Sequence, residues 1–184
     1  MPDNLNVFYR DFLNAPQTLE VRTNGVPLEI LDKLTSDEKV IAEKELINVI
    51  EKEPWAIKGL AKLKSEKALD RLYSLLTKEE LGLKIEAAHA IYLICQDEKM
   101  VDIFLEEIPK QIYWVVLAEM LSRLSDFRDD RIIDLLKNYC GHKDFLVSHN
   151  AKKALQTIKD KNTKPNSSLP KAGRKWWRKL FISE

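Results

Sequence analysis

The chain of 184 residues is 45% hydrophobic and 32% charged, with five glycines and seven prolines. That balance fits one helix-rich domain with tails, and it excludes both a disordered chain and a turn-rich all-β fold. The net charge of +1 conceals a split, because residues 161–184 carry seven Lys/Arg against one Glu and leave the rest mildly acidic.

At the N-terminus, MPDNLNVFYRDF has no cationic stretch leading into an apolar one, so no secretory leader is expected. No apolar run approaches the ~18 residues that span a bilayer, and the cytoplasm is the expected location. Leu5 to Asn14 is expected as a short helix with Val7, Phe8 and Leu13 inward. TLEVRTNGV (18–26) reads as irregular or briefly extended, and Pro27 to Leu34 as the start of another helical turn. Residues 1–35 are therefore expected to cap the apolar end of the first helix pair.

From Thr35 onward the pattern is helical. Thr35 with Glu38 makes a capping box, Pro54 suits a first turn, Ser65 is placed to cap, and Gly141 is placed to stop a helix. Apolar stripes at helical spacing then give four antiparallel pairs: 36–52 with 54–64, 66–77 with 82–96, 98–108 with 110–124, and 129–140 with 144–160. Cys95 and Cys140 lie in these apolar stretches without C-x-x-C spacing, and are expected as reduced, buried small side chains. After Lys159 the chain turns polar, with two prolines and no periodicity, as a linker does.

Four segments repeat one motif, a small residue followed three positions later by a small or apolar one. They are Ala56-Ile57-Lys58-Gly59-Leu60, Ala87-Ala88-His89-Ala90-Ile91, Ala118-Glu119-Met120-Leu121-Ser122 and Ala151-Lys152-Lys153-Ala154-Leu155. The leading alanines are 31, 31 and 33 residues apart. Small residues at i and i+3 let a neighbouring helix approach closely, as stacked repeats require. This period, the A-x-x-A-[LI] core and the charged turns resemble the short HEAT-like repeats of phycobilisome lyases and of many small bacterial proteins. The resemblance covers residues 36–160, with Asp126, Asp129 and Arg131 nearest to the aspartate and arginine that ladder such repeats. It implies an all-α fold, a right-handed α-α superhelix of about four helix pairs, between the cap (1–35) and a linker (161–172) that leads to a basic tail (173–184).

In such a stack the small-residue helices line the concave face. At ~100° per residue the stripe opposite their packed side holds Pro54, Lys58, Ala61, Ile85, His89, Tyr92, Val116, Met120, Arg123, His149, Lys153 and Gln156. Two readings stay open: a groove with an apolar centre and cationic flanks, or a helix rotation about 30° different that returns the aliphatics to the core. On the first reading Lys58, His89, Tyr92, Met120, Arg123, His149 and Lys153 contact a partner.

No Gly-rich phosphate loop or nucleophile motif is present, and the acidic pairs Glu106-Glu107 and Asp129-Asp130 sit where carboxylates cap or stay solvated. Cys140, His142 and His149 lack a fourth ligand, while His89 and His149 stand two repeats apart. The expectation is a non-enzymatic protein without metal or cofactor.

The tail, GRKWWRKLF, sets Trp177, Leu180 and Phe181 on one helical face, with Arg174 and Arg178 a turn apart and Trp176 alongside. Arg174, Trp176, Trp177, Leu180 and Phe181 are expected to dock into a helical groove of this or a neighbouring molecule, or to lie on an anionic membrane. The leading expectation is a protein-binding solenoid that uses its concave face, in its specific version an immunity or inhibitor protein bound to a partner enzyme. The alternatives are a nucleic-acid-binding HEAT-like protein, which the acidic body opposes, and a peripheral membrane adaptor acting through the tail.

Overall fold

A computed structural model describes residues 4–15 and 25–163. These residues are helical, with no strand among them. They divide into two compact units, Met1–Phe104 and Leu105–Glu184.

The first unit opens with α1, Asn4–Val7, which runs into a π-helical turn, Phe8–Leu13. Phe8 and Phe12, four residues apart, share one side of it, and their rings stack at 5.7 Å. Both are fully buried, while Val7 and Leu13 are only half-buried. The inward face thus includes Phe12 in place of the expected Val7 and Leu13. A 3-10 stretch, Leu28–Lys33, follows and buries Ile30 and Leu31.

Next come α2, Ser36–Val49, and α3, Pro54–Leu63. The capping box forms as read: Thr35 Oγ1 accepts from the Glu38 N–H, and Glu38 Oε2 accepts from the Thr35 N–H at 2.7 Å. Ser65 does not cap. Its hydroxyl donates instead to Glu43 Oε1 at 2.7 Å, tying the next element back to α2. After a 3-10 turn at Glu66–Ala68 come α4, Leu69–Leu75, and α5, Leu81–Cys95. α3 packs on α2 and on α5, and α4 packs on α5.

Two of these helices end alike. α3 and α5 both stop at a left-handed residue, Lys64 at φ 55° and Gln96 at φ 60°. Their small residues Ala56, Ala87 and Ala90 are buried. At Gly59 a Cβ would sit 2.9 Å from Leu46 Cδ1 and 3.1 Å from Phe12 Cζ. The glycine is there to admit the N-terminal cap and α2.

The chain passes through α6, Lys99–Glu107, into the second unit, which holds α7, Trp114–Arg123, α8, Asp130–Tyr139, and α9, Phe145–Thr163. Asp129 caps α8 by accepting from the Arg131 N–H. α9 packs on both α7 and α8, and the repeat residues Ala118, Leu121, Ala151 and Ala154 are buried.

Two boundaries differ from expectation. α9 continues to Thr163 rather than ending at 160, because Lys161 Nζ reaches the Ser125 carbonyl at 2.9 Å and Asp126 Oδ1 at 3.0 Å. α7 starts at Trp114 rather than 110. Ile108–Lys110 is a 3-10 turn around Pro109, after which Gln111 and Tyr113 are extended. The cysteines also depart from expectation: Cys95 is exposed and Cys140 half-buried. Each lies near the C-terminal end of its helix, where its thiol donates to the carbonyl four residues back.

Candidate functional site

The anticipated stripe separates by burial. In the first unit Lys58 is exposed and reaches towards Glu86 at 3.5 Å, a carboxylate on α5 that is only 8% exposed. His89 is half-buried, edge-on to Phe104 at 6.5 Å. Tyr92 is 3% exposed and Ile85 likewise. In the second unit Met120 is 1% exposed, and Arg123 lies half-buried with its guanidinium on Glu119 at 2.9 Å. His149 and Lys153 are exposed.

Tyr92 and Met120 therefore belong to the core rather than to an open surface. α5 is apolar all round, from Leu83 and Ile85 to Ile91 and Tyr92, and a helix of that kind buries every face. What remains open of the stripe is mostly polar, with Pro54 exposed and Val116 half-buried as its apolar members. The tail residues Arg174, Trp176, Trp177, Leu180 and Phe181 lie outside the described residues.

The chemistry-bearing groups are engaged elsewhere. Glu106 and Glu107 hold Lys110 at 2.7 and 3.6 Å, and the Glu106 hydrogen bond raises the lysine's pKa. Arg131 grips Asp129 at 2.8 Å, holding that carboxyl below its ordinary pKa through side-chain hydrogen bonding against the opposing effect of burial. The His142 ring accepts from the Asp144 N–H at 3.1 Å. No group of three His, Cys, Asp or Glu that could hold a metal occurs among the described residues. Among them, too, no helix is long and apolar enough to cross a membrane. A shallow groove of about 290 Å³ lies along α2, lined by Val40, Glu43, Ile47 and Lys67.

The surface that stands out lies in the second unit. Ile112 is 84% exposed, Tyr113 69%, Phe145 75% and Val115 55%, with Trp114 and Leu146 also exposed. These six residues come from two places in sequence that the fold joins. Asn150 Nδ2 donates to the Ala118 carbonyl at 3.0 Å, and Lys161 reaches Ser125 further along, so α7 and α9 run parallel. The same register sets the first turn of α7 beside the first turn of α9. His149 stacks on Phe145 at 5.7 Å and supports its ring from one side. The charges around this end are of mixed sign: Glu106, Glu107 and Lys110 before α7, and Lys143 and Asp144 before α9.

Helical periodicity alone passes over this cluster, although a signal is present. Ile112 to Val116 are five consecutive apolar residues, which one helical face cannot bury together. A helix starting at 110 absorbs the stretch and conceals the mismatch.

The chain has no significant match among protein-family models, curated proteins or solved structures.

Proposed function

We propose that this protein is a non-enzymatic, cytoplasmic protein–protein interaction module. Its helix pairs stack as HEAT-like repeats in a right-handed α-α superhelix, and it engages its partner through the apolar end of α7 and α9. The support is the exposure of four consecutive large apolar residues, 112–115, at the start of α7, with Phe145 and Leu146 exposed at the start of α9. Apolar surface left in water carries a solvation cost that binding relieves, and Tyr and Trp are enriched in the centres of protein interfaces. The expected concave face carries less weight, since burial of Tyr92 and Met120 leaves Lys58, His89, Arg123, His149 and Lys153 without an apolar anchor among them.

An inhibitor of a partner enzyme is the specific form of this reading, with one-to-one binding as its signature. The test is affinity capture with the full chain, then reconstitution of the recovered protein with wild type and with Ile112→Asp. The substitution is expected to weaken binding at least ~10-fold, as loss of an interface anchor does. A partner that binds both proteins equally overturns the proposed surface.

A further inference from the structure

We propose that the open face of α9, together with residues 164–184, binds the surface of an anionic lipid bilayer. This is a further binding activity beside the partner surface proposed above, and it rests on different side chains, Phe145 apart.

α9 has a packed side and an open side. Val147, Ala151, Ala154 and Ile158 form its buried row. At ~100° per residue the opposite row holds Phe145, His149, Lys152, Gln156 and Lys159, all exposed, with Lys153 on its flank. Other cations of the second unit are held by carboxylates: Lys110 by Glu106, Arg123 by Glu119, Arg131 by Asp129. Lys152, Lys153 and Lys159, by contrast, form no ion pair among the described residues. Asp160, the acid beside them in sequence, accepts from Gln156 Nε2 at 2.8 Å. Like charges on one helical side repel, and an external anionic surface removes that repulsion.

The same sign continues along the sequence. Residues 145–184 hold ten Lys/Arg against Asp160 and Glu184, a balance of +8, whereas residues 1–144 hold twenty against twenty-seven, a balance of −7. The cationic part is also where large apolar side chains recur. Phe145 is 75% exposed on the open face of α9, and Trp176, Trp177, Leu180 and Phe181 stand among the cations of the tail. That mixture favours lipid over nucleic acid. Leu and Phe gain by entering the boundary between headgroups and acyl chains, and Trp prefers the headgroup level, whereas a phosphate backbone offers an aliphatic side chain nothing. Stable attachment to a bilayer takes two signals, and apolar insertion with a polybasic face supplies both.

The test is flotation of the full chain with phosphatidylcholine vesicles that contain about one-third phosphatidylserine or none. Wild type is expected to bind the anionic vesicles at least ~10-fold more tightly, and to lose most of that binding between about 100 and 500 mM salt. Combining Lys152→Glu, Lys153→Glu and Lys159→Glu is expected to weaken it at least ~10-fold, since each cation near an anionic leaflet contributes about five-fold. The three lysines are exposed, and far-UV circular dichroism with the urea midpoint verifies that the variant folds. Glutamine at the same positions is the milder variant, and Trp176→Ser with Trp177→Ser should also weaken flotation. Ile112→Asp is expected to leave flotation unchanged while it weakens the protein partner, so the two readings fail separately. Wild type that does not float, that floats equally with neutral vesicles, or that is matched by the triple lysine variant overturns the inference. Wild type that ignores vesicles but retards a DNA or RNA duplex overturns it in favour of nucleic acid. Flotation that requires Ile112 but not the lysines overturns it as well.

Discussion

Gly59 shows how one missing side chain sets the packing of the first unit. Alanine there would gain about 1 kcal/mol of helix propensity. Its Cβ, however, would stand 2.9 Å from Leu46 Cδ1 and 3.1 Å from the Phe12 ring, and both neighbours are fully buried. Overpacking of this kind costs about 1–3 kcal/mol, so it outweighs the propensity gain. Gly59→Ala is expected to lower the urea unfolding free energy by about 1 kcal/mol net, and a more stable variant would contradict the close approach. Glu43 supplies a second residue-scale expectation. Burial pushes its pKa up, but hydrogen bonds from Lys67 and Ser65 outweigh that and hold it below 4.5. A carboxyl depressed by folding adds stability above its unfolded pKa, and that contribution disappears as pH falls through the folded value. Below about pH 4.5 the wild-type urea midpoint should therefore fall more steeply than that of Glu43→Gln, with the difference gone once both carboxyl states are protonated. Parallel acid limbs would show that Glu43 does not gain this support.

Individual helices depart from simple amphipathicity in opposite ways. α5 carries apolar residues around its whole circumference and is buried around it, including Ile85 and Tyr92 on the side expected to be open. The start of α7 carries a run of apolar residues and leaves them in solvent. The same composition thus reads as core in one helix and as surface in another. The N-terminal segment is likewise more than a polar lid. Phe8 and Phe12 are completely buried, and Phe12 lies against the position of Gly59. Phe12→Ala is expected to destabilise the protein by about 3–5 kcal/mol, the usual cost of emptying a buried aromatic site. Chemical denaturation measures it, and a loss under about 1 kcal/mol would mean that the segment is not part of the core.

At the scale of the molecule the charges are unevenly placed. Residues 1–104 hold fourteen Lys/Arg and nineteen Asp/Glu, residues 105–163 are near balance, and residues 164–184 hold six Lys/Arg against one Glu. Partner binding through the exposed apolar side chains of α7 and α9 should nonetheless respond weakly to ionic strength. Raising salt from about 50 to 500 mM is expected to change partner affinity less than ~3-fold, because apolar burial is not screened. Binding governed by phosphate contacts would fall by orders of magnitude over that range. Titration of the captured partner at the two salt concentrations separates these behaviours.

The chain alone determined the all-α class, the order of the helices and most of their ends. These depend on local chemistry: the Thr35–Glu38 box, Pro54 in a first turn, and alanines set 31 to 33 residues apart that are buried where helices meet. The side of a helix that remains open depends on every element packed around it, which no single helical stripe records. Tyr92 and Met120 fall on the open side of such a stripe, yet in the core of the protein, for that reason. The apolar cluster required still more of the tertiary structure, because Tyr113 and Phe145 are far apart in sequence. They share one end of the second unit only because α7 and α9 run parallel in the register fixed by Asn150 and Lys161.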